Sequence, residues 1–346
     1  MKEIVVLQPH LDQATAIAKY LKEKGDNIRV VGGHWTKKLV DQGFRSRYYD
    51  EIRSFNTTEL VERCSVGEVM PTGSRSTREL VSIVGKLRMG EMVFERNGLI
   101  AHDKVRMLEA VKKLGIPVPV TYLERKDVVS LPVFYKSAFE GRHVRGIVSS
   151  WAELERVISM SDMILQEYID TPCTYGVGVF AKDGNIIASF QHKELISIPR
   201  TGGSGVVLER ISDDRLLEYT RRIVSDVFRN GWGLAEFKFC RKRNDFVFME
   251  FNAKLWASIE FALMNQGAFL KQLFDIEYDP IGSDRVIYLD RLATLGNTDY
   301  LVNFLRYGGS TYLNFISSMF TLVSNFKKRR GDAPSQAEYP GTIPNI

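Results

Sequence analysis

The sequence predicts a mixed α/β and α+β chain: a parallel α/β domain at the N-terminus, then a larger portion in which antiparallel strands dominate. Three observations carry this. Ile4–Leu7, a helical pattern from Leu11 to Lys24 and Ile28–Val31 read as strand, helix, strand, the opening of a parallel layer. From Met163 the pattern turns to strands, and TYGVGVFAKDGNIIASFQHKEL folds back on itself about a KDGN turn. GLAEFKFCRKRNDFVFMEFN then reads as a second antiparallel pair joined by RKRND.

The remaining elements follow in order. VGEVMPTGSRSTRELVSIVGKL repeats the opening theme, with a strand to about Met70, a PTGS turn and a helix from near Ser76. A small α/β domain therefore closes near residue 95. It has no GxGxxG after its first strand, which leaves a dinucleotide role poorly supported. A helix from about His102 to Leu114 is stopped by Gly115 and the prolines of PVP. VFYKSAFEGRHVRGIV reads as two strands around a glycine-bearing loop, and with a helix near Ala152–Ile158 it makes a compact lid. A charged helix, roughly Asp213–Arg229, precedes the last strand pair. The closing GDAPSQAEYPGTIPNI reads as an irregular strap or disordered end.

At 346 residues the chain exceeds one ordinary core, and two or three subdomains of about 100–150 residues are expected. Lys and Arg number 47 against 42 Asp and Glu, a net charge of +5. That excess suits anionic ligands but is too small and dispersed to argue for nucleic acid. Cys64, Cys173 and Cys240 lie far apart without CxxC spacing, so they read as reduced, buried thiols and not as a zinc site. MKEIVVLQPHLDQA opens a strand and lacks the pattern of a signal peptide. No stretch reaches the roughly 20 apolar residues that span a bilayer, and a cytoplasmic protein is expected.

The chemistry concentrates in FVFMEFNAKLW, an apolar run that carries an acid and an amide. Strand alternation places Val247, Met249 and Phe251 on one face and Phe248, Glu250 and Asn252 on the other. If RKRND supplies a five-residue turn, 241–245, Cys240 faces Phe246 and Glu236 stands directly opposite Glu250. Two like charges about 5 Å apart repel by about 3 kcal/mol at an effective dielectric of 20, so the arrangement calls for a cation. Magnesium suits it, because that ion commonly links one or two carboxylates to substrate phosphates, and Asn252 can add a carbonyl oxygen. A structural ion pair, Glu236 with Lys238 or Glu250 with Lys254, explains this hairpin taken alone equally well.

Other features arrive in the order that nucleotide binding requires. HDK places Lys104 at a helix start, and YKS places Lys136 inside a strand, where an inward-facing lysine needs an anion. Each alone is ordinarily a solvated or snorkelling side chain. ILQEYID ends an apolar strand with a short linker that can present backbone groups to a base edge. PRTGGSGV is a glycine loop whose free N–H groups can cradle phosphate oxygens, although a flexible surface loop is the commoner explanation.

The order DK, K, QEYI, GG loop, EFK, EFNxK resembles the ATP-grasp superfamily, and AHDK with LGIPVP and MEFNAKLW is most similar to its carbamoyl phosphate synthetase-like carboxylate–amine ligases. The resemblance covers about residues 96–265. It implies a pre-ATP-grasp α/β domain over 1–95, a small or lid subdomain over 96–165, a C-terminal subdomain with the metal site over 166–280, and a helical extension and tail over 281–346. ATP and Mg2+, with Mn2+ as a substitute, are the implied cofactors. Lys104 and Lys136 would contact phosphates, Gln166, Glu167, Tyr168 and Ile169 would form the adenine hinge, Gly202 and Gly203 would lie in the phosphate loop, and Glu236, Glu250 and Asn252 would hold the metal. Lys254, Lys193 and Arg200 are the candidates for the reacting carboxylate or transferred phosphate. Lys254 departs from the arginine usual there, which keeps the charge and loses the bidentate fork.

The implied reaction is phosphorylation of a carboxylate followed by attack of an amine, with small-molecule partners, no nucleic acid, and a homo-oligomer compatible with the reading. A nucleotide-binding regulator that kept the fold and lost turnover is the second reading, and Lys254 leans that way. A biotin-dependent carboxylase-like subunit is the third, with no biotin-accepting domain recognised in the sequence. From about Tyr300 the tail spaces Leu313, Ile316, Phe320, Val323 and Phe326 along one helical face, expected to pack on the body of the protein or, over 310–330, to touch anionic lipid. Similar tails belong to ligases of surface-polysaccharide assembly, which suggests an amino acid joined to a sugar acid.

Overall fold

Ile4, Val5, Val6 and Leu7 are all buried, a run without alternation that marks a strand covered on both faces. This strand, β1 (Lys2–Leu7), is flanked in parallel by β2 (Ile28–His34) and β4 (Val69–Met70), with β3 (Glu51–Ser54) outside β2. The computed structural model describes residues 1–35, 46–122, 124–139, 144–199, 203–295, 297–307, 309–314, 318–319 and 322–323. The helix Asp12–Lys24 connects β1 to β2 and buries Ala14, Ile17 and Leu21. Asn56 caps the helix Thr57–Ser65 through a reciprocal pair of bonds with Glu59. The helix Ser74–Val84 follows β4, and the hairpin β5 (Lys86–Met89) with β6 (Met92–Glu95) closes the parallel α/β region that the sequence predicts.

The chain divides into two units, residues 1–285 and 286–346. Within the first, a four-stranded antiparallel sheet has the order β7 (Thr121–Tyr122), β10 (Met163–Glu167), β8 (Val133–Ser137), β9 (Arg145–Val148). Its core is Val128, Val133, Val148, Leu154, Val157 and Leu165, two of them from the helix Trp151–Ile158. Facing chemistry of a different kind, an antiparallel run orders β15 (Asp245–Asn252), β14 (Gly231–Cys240), β11 (Thr174–Lys182), β12 (Asn185–Ile198) and β13 (Ser204–Arg210). The β11–β12 hairpin turns on Asp183 and Gly184, with φ of 53° and 80°, the paired left-handed conformation that a two-residue turn requires.

In the second unit, Val286, Ile287 and Tyr288 pair in parallel with Thr311–Leu313, and the helices Leu289–Ala293 and Asn297–Arg306 lie between them in sequence. Leu313 is therefore in a strand, which corrects the helical stripe expected to start there; Ile316, Phe320 and Phe326 lie outside the described residues. No helix among the described residues is long and apolar enough to cross a membrane.

The register of β14 and β15 places Glu236 opposite Glu250, as the sequence predicts, but by another route. The turn holds four residues, 241–244, so Cys240 faces Asp245 and not Phe246. A β-bulge between the Glu236 and Phe237 pairs then adds one residue on β15, Met249, and restores the opposition of the acids. The bulge also changes the faces. Phe248 pairs with Phe237, so it lies on the side away from Glu250, while Val247 and Met249 cluster with Ile169 and Cys240. The expectation that Phe248 shares a face with Glu250 fails because strict alternation stops at the extra residue.

Gly178 on β11 leaves room for a ring. A Cβ there would lie 2.3 Å from the Trp256 indole, which is itself buried and edge-on to Phe269. Gly178→Ala is expected to destabilise the protein by about 1–3 kcal/mol through displacement of Trp256, read as a lower urea midpoint at unchanged slope.

Candidate active site

Lys104 is the first residue of the helix Lys104–Lys113, an unfavourable place for a cation because helix N-termini carry partial positive charge. Asp103 offsets this by capping the helix, its Oδ1 accepting from the Arg106 N–H at 3.1 Å. The Lys104 N–H donates to the Ala138 carbonyl at 3.0 Å, which ties the helix start to the end of β8. From there its ammonium reaches Glu250 Oε2 at 3.0 Å. Lys136, inside β8 and 5% exposed, lies 3.7 Å from the same oxygen. Lys136 Nζ also donates to the carbonyl of Met249 at 3.0 Å, the bulged residue.

Asn252 bridges the acids, its Nδ2 donating to Glu236 Oε1 at 3.0 Å and to Glu250 Oε1 at 3.4 Å. Burial, then Glu250 and Glu194, push the Glu236 carboxyl up to about 8, and Lys254 and Lys104 oppose this only in part. Burial works to raise Glu250 as well, but Lys104 and Lys136 outweigh it and hold that carboxyl well below the usual range. Burial lowers Lys136 to about 8 against the pull of Glu250. The two acids are thus pushed in opposite directions, because Lys104 and Lys136 make their ion pairs with Glu250 and not with Glu236.

These residues fit a divalent ion. Among the described residues no three or more His, Cys, Asp or Glu side chains are arranged to hold a metal, so a cation here rests on two carboxylates and one amide. That set suits Mg2+, which keeps water and phosphate oxygens in its remaining positions. Asn252 would serve it through its carbonyl oxygen, with the amide turned about its last torsion.

The segment Gln166–Ile169, expected to form the hinge, lies nearby. Ile169 packs with Cys240, Val247 and Met249, an apolar patch beside the acids. Glu167 donates its N–H to the Val120 carbonyl at 2.8 Å, and its carboxylate accepts from Arg243 and from the Val120 N–H. The Gln166 amide is buried and donates to Thr121 Oγ1 at 3.2 Å, which gives it a structural task at the edge of β7. Tyr168 is half-buried between Glu167 and Ile169. Gly203 closes the mouth of the β12–β13 hairpin, where a Cβ would meet the Ile198 carbonyl oxygen at 1.9 Å. Arg200 and Gly202 lie outside the described residues.

Lys254 acts electrostatically on both acids. Lys193 is not brought to them. It pairs with Tyr175, which pairs with Phe237, so all three lie on the face opposite Glu236, and its ammonium sits 5.7 Å from the Tyr175 ring centre. The neighbour that does share the acids' face is Glu194, one residue on, which the sequence does not single out. Strand parity was the signal that separates them. Lys238, half-buried and lowered by burial despite Glu236 and Glu194, faces the same way.

Neither a family model nor a curated relative matches the sequence. Solved structures match by fold. A biotin carboxylase–β,γ-ATP complex from Campylobacter jejuni is 17% identical, with a TM-score of 0.58 over 81% of this chain and 72% of that one. An L-amino acid ligase from Bacillus licheniformis is 12% identical, with a TM-score of 0.57 over 79% and 74%. The biotin carboxylase domain dimer of a 2-oxoglutarate carboxylase from Hydrogenobacter thermophilus is 17% identical, with a TM-score of 0.54 over 74% and 65%. At these identities the likeness is one of fold, and the chain has the ATP-grasp fold.

The raised Glu236 carboxyl sets a pH dependence. The folded protein holds a proton that the unfolded chain loses from about pH 4.5, so stability falls as pH rises toward about 8. Glu236→Gln removes this term. Its melting temperature relative to wild type, measured without nucleotide, is expected to rise steadily between about pH 5 and pH 8.

Proposed function

We propose an ATP-dependent ligase that activates a substrate carboxylate as an acyl phosphate and joins it to an amine, releasing ADP and phosphate. The observation that carries the reading is the opposed Glu236 and Glu250 with Asn252 between them, met by Lys104 and Lys136 from elements outside their sheet. The C. jejuni neighbour is a complex with β,γ-ATP, the H. thermophilus neighbour a complex with MgADP and bicarbonate, and the B. licheniformis neighbour an amino acid ligase.

Glu236, Glu250 and Asn252 would hold Mg2+ or Mn2+, which supplies charge neutralisation to the phosphates when bound. Lys104 and Lys136 neutralise phosphate oxygens, and the Ile169, Val247 and Met249 patch takes the purine with the backbone of Glu167 and Ile169 at its edge. Gly203 belongs to the loop over the phosphates. Lys254 lies where the transferred phosphoryl group passes. In the first step a carboxylate oxygen bonds to the γ-phosphorus as the bond to ADP breaks, a reaction that asks for positioning and charge more than covalent help. In the second an amine nitrogen bonds to the acyl carbon and phosphate leaves. An amino acid joined to a sugar acid is the finer reading, resting on the resemblance of the tail from Tyr300.

The test is ADP release with Mg2+, ATP and paired panels of carboxylates, hexuronic acids included, and amines, amino acids included. Glu250→Ala is expected to lower turnover by at least about 100-fold, since it removes a fixed charge at the phosphates. Unchanged turnover would remove the site assignment. Tight MgATP binding without turnover across the panel favours the regulator reading, towards which Lys254 leans.

A further inference from the structure

The face of the sheet that carries the acids continues past them onto β12. Glu236 pairs with Gly176, and Gly176 pairs with His192, so His192 lies in the same row. Glu194 pairs with Thr174 and shares that face. Its carboxylate is built into place. Two register shifts follow directly after Glu194 and turn the strand back, so that Ser197 Oγ donates to Glu194 Oε2 at 2.7 Å. On β13 a Cβ at Gly205 would lie 2.9 Å from Glu194 Oε1, so the strand leaves space for the carboxylate there. Glu194 is 8% exposed, yet it acts on both Glu236 and Lys238.

His192 supplies an independent observation. It is 1% exposed, and neither ring nitrogen has a hydrogen-bond partner among the described residues. Its Cε1 and Nε2 lie 2.5 and 2.7 Å from where a Gly176 Cβ would sit, so the ring tip extends over Gly176 toward Glu236. A buried imidazole with two unmet nitrogens is costly unless a ligand satisfies it. The pairing of an oriented carboxylate with a neutral acceptor nitrogen suits a donor-rich cation. A second metal fits poorly, because Ser197 already engages one Glu194 oxygen.

We propose that Glu194 and His192 form the subsite that receives the amine substrate as its ammonium ion, a reading that rests on the ligase function above. Strands lie about 4.8 Å apart, so β12 stands about 10 Å from β14, room for an acyl phosphate at the metal acids and an amine beyond it. Glu194 attracts the ammonium, and His192 accepts one of its N–H bonds and orients it. The bound ammonium first gives up one proton to water, which frees the nitrogen lone pair; as that pair bonds to the acyl carbon the carbon–oxygen bond to phosphate breaks, and the nitrogen's second proton leaves on the phosphate.

Hydroxylamine, uncharged at neutral pH, is the reference nucleophile. The full chain is assayed for ADP release with MgATP and the carboxylate panel, driven either by hydroxylamine or by charged amines (methylamine and the L-amino acids). Glu194→Gln is expected to raise the KM for a charged amine about 100-fold while the hydroxylamine-driven rate stays within about 3-fold. Ser197→Ala, which removes one of the contacts that orient the carboxylate, is expected to act in the same direction by about 10-fold, and covers a failure of the first variant to fold. Equal loss with both nucleophiles overturns the subsite. So does a weakening of MgATP binding in Glu194→Gln as large as in Glu250→Gln, which needs no known substrate and would place Glu194 with the metal ligands. Wild type that releases no ADP with hydroxylamine on any carboxylate overturns the ligase reading, and the subsite with it.

Discussion

Two carboxylates facing each other across adjoining strands set the terms for the structure around them. Their repulsion in a half-desolvated sheet face must be met, and their own sheet meets it only in part, through Asn252 and Lys254. The stronger answer comes from elsewhere. Lys136 arrives from a different sheet and Lys104 from the first turn of a helix, both at Glu250. The small sheet of β7, β10, β8 and β9 therefore contributes to the site, because Lys136, on the face of β8 opposite its core residues Val133 and Tyr135, brings one of the two ammonium groups that meet Glu250. Its valine and leucine core fixes β8 firmly enough to hold a buried lysine there.

The backbone takes part in the same balance. A β-bulge leaves one residue outside the regular ladder, and at Met249 the carbonyl accepts from Lys136. The bulge so provides a neutral acceptor that fixes the ammonium between a carbonyl and a carboxylate. It also adds the Met249 side chain to the patch with Ile169, so an apolar surface and a charged one meet along a single strand. An unbroken strand would set Glu236 opposite Met249 and lose the facing acids along with both features.

Much of this was legible in the residues, and the failures are physical. Alternation and turn chemistry gave the parallel opening, the Asp183–Gly184 hairpin and the opposed acids. The opposition came out right because two errors cancelled: a turn shorter by one residue and a strand longer by one. Neither leaves a mark in the sequence, since RKRND is polar throughout and FVFMEF is apolar around its single acid. Lys193 was expected near the reacting groups on charge type alone, whereas parity along β12 sets it on the face away from the acids. The cluster at His192 depends on pairing with strands distant in sequence, which no local pattern records.

Strand β11 shows how one segment serves two opposite needs. Its centre reads Gly176, Val177, Gly178, Val179, and a period of two sends both valines to one face and both glycines to the other. Val177 and Val179 are fully buried, so the strand gains its stability on that side. Glycine inside a strand costs conformational entropy and leaves nothing to pack, a loss that needs a reason. The reason is two aromatic rings, His192 over Gly176 and Trp256 over Gly178, each closer than any side chain at those positions would permit.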